Sequence, residues 1–349
     1  MGLFSGAKDN FFLGIDIGDS SIKMVELRRK GKKIFLNNYA FSENIGDVKF
    51  TRIDDVDYLA SAITKIREKA GITSHRAVAS LPTFSVFSSI INLSGVEKKN
   101  LASAVVEEAK KVIPLPLEDM ILDWKIIPEE SGQGDKKNVR VFLTGSPKKL
   151  VKKYVDIFKK AKLELVSIET ETFSVVRSLL GSDKTPVMIV EIGANSTDLS
   201  IVRESIPILN RSLEVSGNTI TELLSQNLGM SFAQAEQFKF DLSFSLNDDS
   251  REALPQLILQ SLQPIVNEME YMLDFFQSQN SGRVEKIILS GGGSLLLNLA
   301  DFFAQKLNTK VIIGDPWNRV SYPADLKPVV LEIGPKLAVA IGLALREIE

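Results

Sequence analysis

The chain reads as an α/β protein of two related domains, the second repeating the strand plan of the first. Three observations predict this. At 349 residues with 44% hydrophobic content there is material for two cores rather than one. Asp16–Ser21 and Glu191–Ser196 share one order of residues: an acid, an isoleucine, a glycine and a short polar turn, each set between apolar runs. A third turn, Gly291–Ser294, follows an apolar run and opens an amphipathic segment.

Phe11 to Phe41 alternates in short apolar runs broken at Gly18–Ser20 and Arg29–Lys32, which predicts three antiparallel strands. Asp57 to Ala70 carries Leu59, Ile63, Ile66 and Ala70 at helical spacing and stops at Gly71. A strand from Ala77 to Leu81 ends at Pro82. Residues 84–163 then form an inserted unit. It holds a strand at Val86–Leu93, a helix with Leu101, Val105, Ala109 and Val112 that Pro114 and Pro116 end, strands at Met120–Ile127 and Val139–Thr144, and a lysine-rich helix at Lys148–Lys162. The lysines of that helix form a solvated face over an apolar stripe of Leu150, Tyr154, Ile157 and Phe158.

Residues 164–184 return to the first domain, and Pro186 with the strand Val187–Ile192 starts the second, at 185–334. A helical addition spans about 221–278 and includes a helix from Arg251 to about Gln277 that Pro264 should kink or restart. The strand Lys286–Leu289 leads into the glycine turn. A small-residue helix from Pro335 to Arg346, within 335–349, returns to the first domain, where Ala338, Ala340, Gly342 and Ala344 allow close approach at a hinge.

Composition removes several function classes. There is no cysteine, so disulfides and thiolate metal sites are excluded, and His75 is the sole histidine. His75 sits among polar residues of a short connection and reads as solvated. The 42 basic and 44 acidic residues balance to a net charge of -2, which gives no reason to expect a nucleic-acid partner. The apolar run Phe11–Ile15 stops at Asp16, too early for a signal segment, nothing later is expected to reach bilayer length, and Gly6 breaks the myristoylation pattern. No direct membrane insertion is expected.

Neither a P-loop nor GxGxxG spacing occurs, which leaves the paired hairpins as the phosphate sites. Glycine turns let backbone amides converge on an anion. In the first turn Asp16 would hold magnesium through water, Ser20, Ser21 and the local amides would face phosphates, and Lys23 would add a point charge; taken alone, the turn equally fits an ordinary hairpin with a solvated Asp-Ser tip.

The stretches GIDIGDSSIK (Gly14–Lys23), VEIGANSTD (Val190–Asp198) and ILSGGGSLLLNLADFF (Ile288–Phe303) resemble the two phosphate motifs and the adenosine motif of the actin, Hsp70 and sugar kinase superfamily. Gly217–Thr221 and Ala235–Lys239 resemble stretches of bacterial actin-like proteins that close over the nucleoside. Within that superfamily the chain is similar nearly end to end to the PilM family of type IV pilus assembly, in VVEEAKKVIPLPLEDMILDW (Val105–Trp124), GDPWNRV (Gly314–Val320) and LAVAIGLALRE (Leu337–Glu347). The inserted unit is similar to one that PilM shares with the division protein FtsA.

The resemblance implies an actin-like (ribonuclease H-like) two-domain fold with an FtsA/PilM-type inserted subdomain, and ATP with Mg2+ as cofactors. It implies nucleotide contacts from Asp16, Gly18, Asp19, Ser20, Ser21, Lys23, Gly193, Asn195, Ser196, Gly217, Glu236, Lys239, Gly291, Gly292, Gly293 and Ser294, with Asp16 and Glu191 toward the metal. It implies a cytoplasmic assembly protein brought to the inner membrane by the cytoplasmic N-terminal tail of a PilN-like single-span protein, with other pilus assembly proteins and self-association as further contacts. Three departures stand out: Asp19 where Ser or Thr is usual, Glu191 for Asp, and Asn195 for Gly. A carboxylate at position 19 opposes the outer phosphate, so slow or absent hydrolysis is expected. Glu171 resembles the superfamily's water-orienting position, and it equally fits a polar residue opening a helix at Thr170–Leu180. An FtsA-like filament protein and an active ATPase or kinase are the alternative readings.

Overall fold

Tight polar turns between β-rich runs build the same sheet twice. The computed structural model describes residues 11–18, 20–43, 55–127, 138–244, 256–279 and 282–348. In the first half β1 (Phe11–Ile17), β2 (Ser21–Lys30) and β3 (Lys33–Glu43) form an antiparallel meander, and β4 (Arg76–Leu81) and β8 (Glu164–Thr170) continue it in parallel, in the order β3-β2-β1-β4-β8. In the second half β9 (Val187–Ile192), β10 (Thr197–Arg203), β11 (Ile206–Leu213), β12 (Lys286–Ser290) and β13 (Val311–Ile313) repeat that plan, in the order β11-β10-β9-β12-β13. The strands next to the parallel edge are buried on both faces, so their sequences are near-continuous apolar runs such as MIV at 188–190.

Between β4 and β8 lies a separate three-stranded antiparallel sheet, β5 (Phe87–Ser94), β7 (Asn138–Pro147) and β6 (Met120–Ile127), in the order β5-β7-β6. Helix α2 (Leu101–Val112) packs one face of it through Leu101, Val105 and Ala109. The lysine-rich helix does not belong to this unit. Helix α3 (Lys148–Lys160) sends Tyr154, Ile157 and Phe158 into the first-domain cluster with Ile15, Leu59 and Ile63 of β1 and α1 (Val56–Lys69). The reason is topological: parallel β4 and β8 need a crossover helix on one face, and α3 supplies it. The insertion therefore ends near Pro147 rather than Leu163. Lys148 donates to the Glu118 carbonyl at 2.6 Å and Lys160 pairs with Asp57, both at the solvated face.

The helical addition comprises α5 (Gly217–Leu228), α6 (Phe232–Phe244) and α7 (Gln256–Ser278), and α7 runs through Pro264 as one element. The expected start at Arg251 lies outside the described residues. Ile258, Leu262, Ile265, Met269 and Met272 of α7 join β9, β10 and α8 (Leu299–Leu307) in the second core.

Two helices join the halves. Helix α4 (Glu171–Leu180) follows β8, and α9 (Lys327–Arg346) follows β13 after a connection anchored by buried Trp317, whose indole donates to the Val330 carbonyl at 2.7 Å. They cross at Gly342, where a Cβ would stand 1.9 Å from the Ser174 carbonyl oxygen. At Gly14 of β1 a Cβ would stand 2.0 Å from the Ala340 oxygen. Only glycine permits either approach. The stretch Ala324–Arg346 has 23 residues and contains an 18-residue window of mean hydropathy 1.7, long and apolar enough to cross a bilayer, contrary to the expectation that nothing reaches that length. Its apolarity has another cause: 72% of the window is buried between α4, β1 and β2.

Candidate functional site

The tips of the two meanders face each other across a cleft. Their turns are built alike. Gly18 donates to the Ser21 carbonyl at 3.0 Å, and Gly193 donates to the Ser196 carbonyl at 2.8 Å. The ladder then sets residues seven apart directly opposite one another: Asp16 against Lys23 in the first hairpin, Glu191 against Asp198 in the second. Asp16, Gly18, Ser20, Lys23, Glu191, Gly193, Asn195, Ser196 and Asp198 all line the cleft, together with Glu171 from the start of α4. Ser21 is buried at the head of β2, and Asp19 lies outside the described residues.

Charge is unevenly compensated. Lys23 Nζ donates to Asp16 Oδ2 at 2.9 Å, and Ser80 of β4 donates to Asp16 Oδ1 at 3.1 Å. Burial works to lower the Lys23 pKa, but Asp16, with Glu191 and Glu171, outweighs it and holds the ammonium above its usual value. Among the described residues Glu191 has no hydrogen-bonded cation, and Lys23 acts on it only through charge. Burial, then Asp198 and Asp16, push its carboxyl up to about 8. Glu171 is driven well above the usual range by burial and by Asp16, Glu191 and Asp198, while the Thr83 amide, 3.0 Å from Oε2, works the other way. Glu171 thus both opens a helix and faces the two hairpins.

The stretches Gly217–Thr221 and Ala235–Lys239 adjoin the second hairpin. Gly217 donates to the Gly193 carbonyl and Asn218 to the Ala194 carbonyl, each at 2.9 Å, which fastens the capped start of α5 to that turn. Asn218 also donates to the Asn195 side chain at 2.7 Å. Lys239 donates to the Gly217 carbonyl at 2.9 Å, and to Thr221 and Glu236, each at 2.7 Å. Burial lowers the Lys239 pKa, as does Lys336, against the raising effect of Glu236.

In the glycine turn, Gly291 has φ +78° and a Cβ there would stand 2.4 Å from the Ile192 oxygen, while one at Gly293 would stand 2.3 Å from Ile192 Cγ2. These glycines are demanded by packing on the end of β9. Gly292 is open, meeting only Lys336 carbons at 3.7 Å. Ser294 departs from its expected role: it is fully buried, its hydroxyl donates to the Gly291 carbonyl at 2.7 Å, and it has no face toward a ligand.

Sequence reasoning missed Asp198, Ser80, Thr83, Phe84 and Lys336. Asp198 was within reach, because in a hairpin the residue facing Glu191 follows from the turn length. Ser80, Thr83, Phe84 and Lys336 depend on how separate elements pack and carry no local signal.

All donors near the hairpins are hard oxygens. Among the described residues no three acidic or histidine side chains converge closely enough to hold a metal alone. Magnesium keeps several waters and takes one or two carboxylates with phosphate oxygens, and a dication relieves the mutual repulsion seen at Glu171 and Glu191. The residues fit hydrated magnesium near Asp16 and Glu191.

Duplicated five-stranded sheets, crossing helices and a cleft between matched hairpins define an actin-like α/β protein. MreB5 of Spiroplasma citri bound to AMPPNP superimposes with a TM-score of 0.55 at 13% identity, over 98% of this chain and 97% of that one, a likeness that shows the fold alone. The family model for type IV pilus assembly protein PilM matches residues 14–348, and the chain belongs to that family. A solved PilM-PilN type IV pilus biogenesis complex contains a chain similar to this one with a TM-score of 0.83 and 26% identity, covering 97% of this chain and 98% of that one. The cell division protein FtsA of Streptococcus pneumoniae serotype 2 is 23% identical over 258 residues, 67% of this chain. The match spans 56% of that relative's length.

Proposed function

We propose that the chain is a nucleotide-responsive assembly protein of the type IV pilus machine, holding Mg-ATP in the cleft and docking the cytoplasmic tail of a PilN-like membrane protein. The observation that carries the nucleotide reading is the pair of facing hairpins with the same glycine turn bond, backed by glycine turns at Gly217 and Gly291–Gly293 on the nucleoside side. Amides of the two turns other than those of Gly18 and Gly193, which close the turns themselves, would face phosphates, Lys23 would shift toward them from Asp16, and Asp16 and Glu191 would support hydrated magnesium. The metal neutralises phosphate charge. Glu171, its Oε2 accepting from the Thr83 amide, would be the water-positioning group, and burial beside other acids raises its pKa and so disfavours its carboxylate form, which supports slow turnover.

For the partner, the inserted sheet supplies an edge. β6 is an outer strand, with Ile121 and Ile126 exposed along it, and an extended peptide adds to such an edge through its own backbone. The similarity to the chain of a PilM-PilN complex supports a PilN-like tail, and docking on that tail would bring the protein to the inner membrane indirectly. Titration calorimetry with Mg-ATP, followed by co-sedimentation with vesicles carrying the tail, tests both halves. Failure to bind adenine nucleotide at millimolar concentration sinks the first, and failure to co-sediment sinks the second.

A further inference from the structure

The inserted sheet grips the first turn of α4 from two sides. Its entry is the short turn Thr83–Ser85 between β4 and β5, held by Ser85 donating to the Pro82 carbonyl at 3.0 Å and Val86 to the Thr83 carbonyl at 3.2 Å. No side chain caps that turn from within. Its first amide, Thr83 N–H, is satisfied from the cleft by Glu171 Oε2 at 3.0 Å, and Thr83 Oγ1 stands 3.1 Å from Thr172 Oγ1. Pro82 and Phe84 of the same turn line the cleft, with Phe84 63% exposed.

The second grip comes from the other side of the sheet. Phe142 of β7 meets Phe173 edge-on with ring centroids 5.4 Å apart, and Phe173 lies two residues beyond Glu171. Phe142 shares a buried cluster with Ile127 of β6 and Ile206 of β11, and Asn210 of β11 donates to Ser88 of β5 at 3.2 Å. The insertion thus touches the Glu171 turn and the second domain together.

We propose that Thr83 is a positioning residue for Glu171, and that its amide links the inserted sheet to the cleft, so that an occupant of the sheet resets Glu171 and nucleotide in the cleft alters the sheet. The link is a backbone donor, which gives a clean perturbation. Thr83→Pro removes the N–H. Pro82 already has φ -56° and ψ 135°, the extended conformation that a residue before proline adopts, and the short-helix position suits the fixed proline φ. Thr83→Ala keeps the N–H and loses the hydroxyl, whose contact with the same Glu171 Oε2 is the longer one, 3.5 Å against 3.0 Å for the amide.

The test is backbone amide hydrogen exchange of β5 and β7, read by mass spectrometry on the full chain. Without nucleotide, Glu171→Ala is expected to speed β5 exchange roughly tenfold by removing the acceptor, and to add nothing when Thr83→Pro is already present. Thr83→Ala, which keeps the shorter backbone bond, should retain the β5 response to Glu171→Ala that Thr83→Pro abolishes; loss of that response in Thr83→Ala would assign the link to the hydroxyl and overturn the role of the amide. An effect of Glu171→Ala that persists undiminished in Thr83→Pro, or no effect of Glu171→Ala at all, overturns the link. Should Thr83→Pro fail to fold, Phe142→Leu replaces it: slower β7 closure combined with an unaltered Glu171→Ala response would equally overturn the two-sided grip.

A second arm rests on the nucleotide reading: Mg-ATP should protect β5 in the parent and not in Thr83→Pro, with affinity unchanged within about threefold. Calorimetry separates the failures. Absence of Mg-ATP binding defeats the nucleotide reading, whereas binding without protection of β5 defeats the link.

Discussion

Gly342→Ala is the sharpest test of how the two halves are joined. The added Cβ would stand 1.9 Å from the Ser174 carbonyl oxygen and 2.5 Å from its carbon, and both are backbone atoms that no rotamer change can move. An ordinary contact needs about 3.4 Å or more, so α4 and α9 must separate by roughly 1.5 Å at the crossing. Val175, Val176, Leu179, Val339 and Leu343 pack around that crossing in one buried cluster, and a gap of even 1 Å forfeits up to about half of each contact's attraction. The separation would also strain the bond from Arg177 to the Gly342 carbonyl, 2.9 Å long, within the network that ties Glu169 to Arg177 and Arg346. A cost of about 3 kcal/mol is expected, at the upper end for overpacking, and a fall in melting temperature of roughly 4 °C. Gly292→Ala is the control, since its Cβ meets only the Lys336 side chain at 3.7 Å. Thermal denaturation followed by circular dichroism measures both. A Gly342→Ala protein melting within about 1 °C of the parent would show that the helices are not in that contact in solution.

Three other outcomes follow from the cleft and the insertion. In magnesium-free buffer the folded state keeps the Glu191 proton to about pH 8 whereas the unfolded chain releases it near 4.5, so the unfolded state binds fewer protons between those values; stability should fall as pH rises through that window, and Glu191→Gln should flatten the urea midpoint against pH. Excising residues 88–144 with a short glycine-serine bridge between Phe87 and Gly145, which are register partners, should abolish co-sedimentation with the partner tail while Mg-ATP affinity stays within about threefold; the excision must spare α3, which fills the first core. Asp19→Ser should raise Mg-ATP affinity severalfold in calorimetry, and equal or weaker binding would remove the repulsion argument made for that position.

The limits of the sequence are clearest at α3 and α9. The apolar stripe of α3 announces a buried face but not whose core receives it, and adjacency to the inserted strands favours the wrong neighbour. The duplication contains the answer: β12 passes through α8 to β13, so β4 requires a counterpart to reach β8, and only α3 is placed to serve. In α9 the same apolar richness that marks a spanning segment marks a helix buried on several sides, and hydropathy alone does not separate them. Gly14 and Gly342 give no sign of their role, because a glycine forced by a neighbouring backbone looks like any other until the neighbour is in place. The glycine turns at 18 and 193 were legible because their requirement is local: each closes its own hairpin.

Charge in the cleft was half legible, and the missing half decides what the site can accept. Glycine turns between strands say only that backbone donors are free to meet an anion. Hairpin register adds the sign of the walls: the partner of Asp16 is Lys23, while the partner of Glu191 is Asp198, so the second repeat exchanges a cation for a carboxylate. With Glu171 added, Asp16, Glu191 and Asp198 leave one lysine to balance several acids. Each like-charge contact at about 4 Å costs on the order of 4 kcal/mol at an effective dielectric near 20, so a bare polyphosphate is opposed by the walls that its donors invite it between. The proton that Glu191 holds up to about pH 8 relieves part of that opposition, and a dication would relieve more, because it is attracted by the walls and by the phosphates together. If the cleft holds a nucleotide as proposed, the exchange of Lys for Asp between the repeats, rather than the glycine turns they share, would make its affinity depend on magnesium.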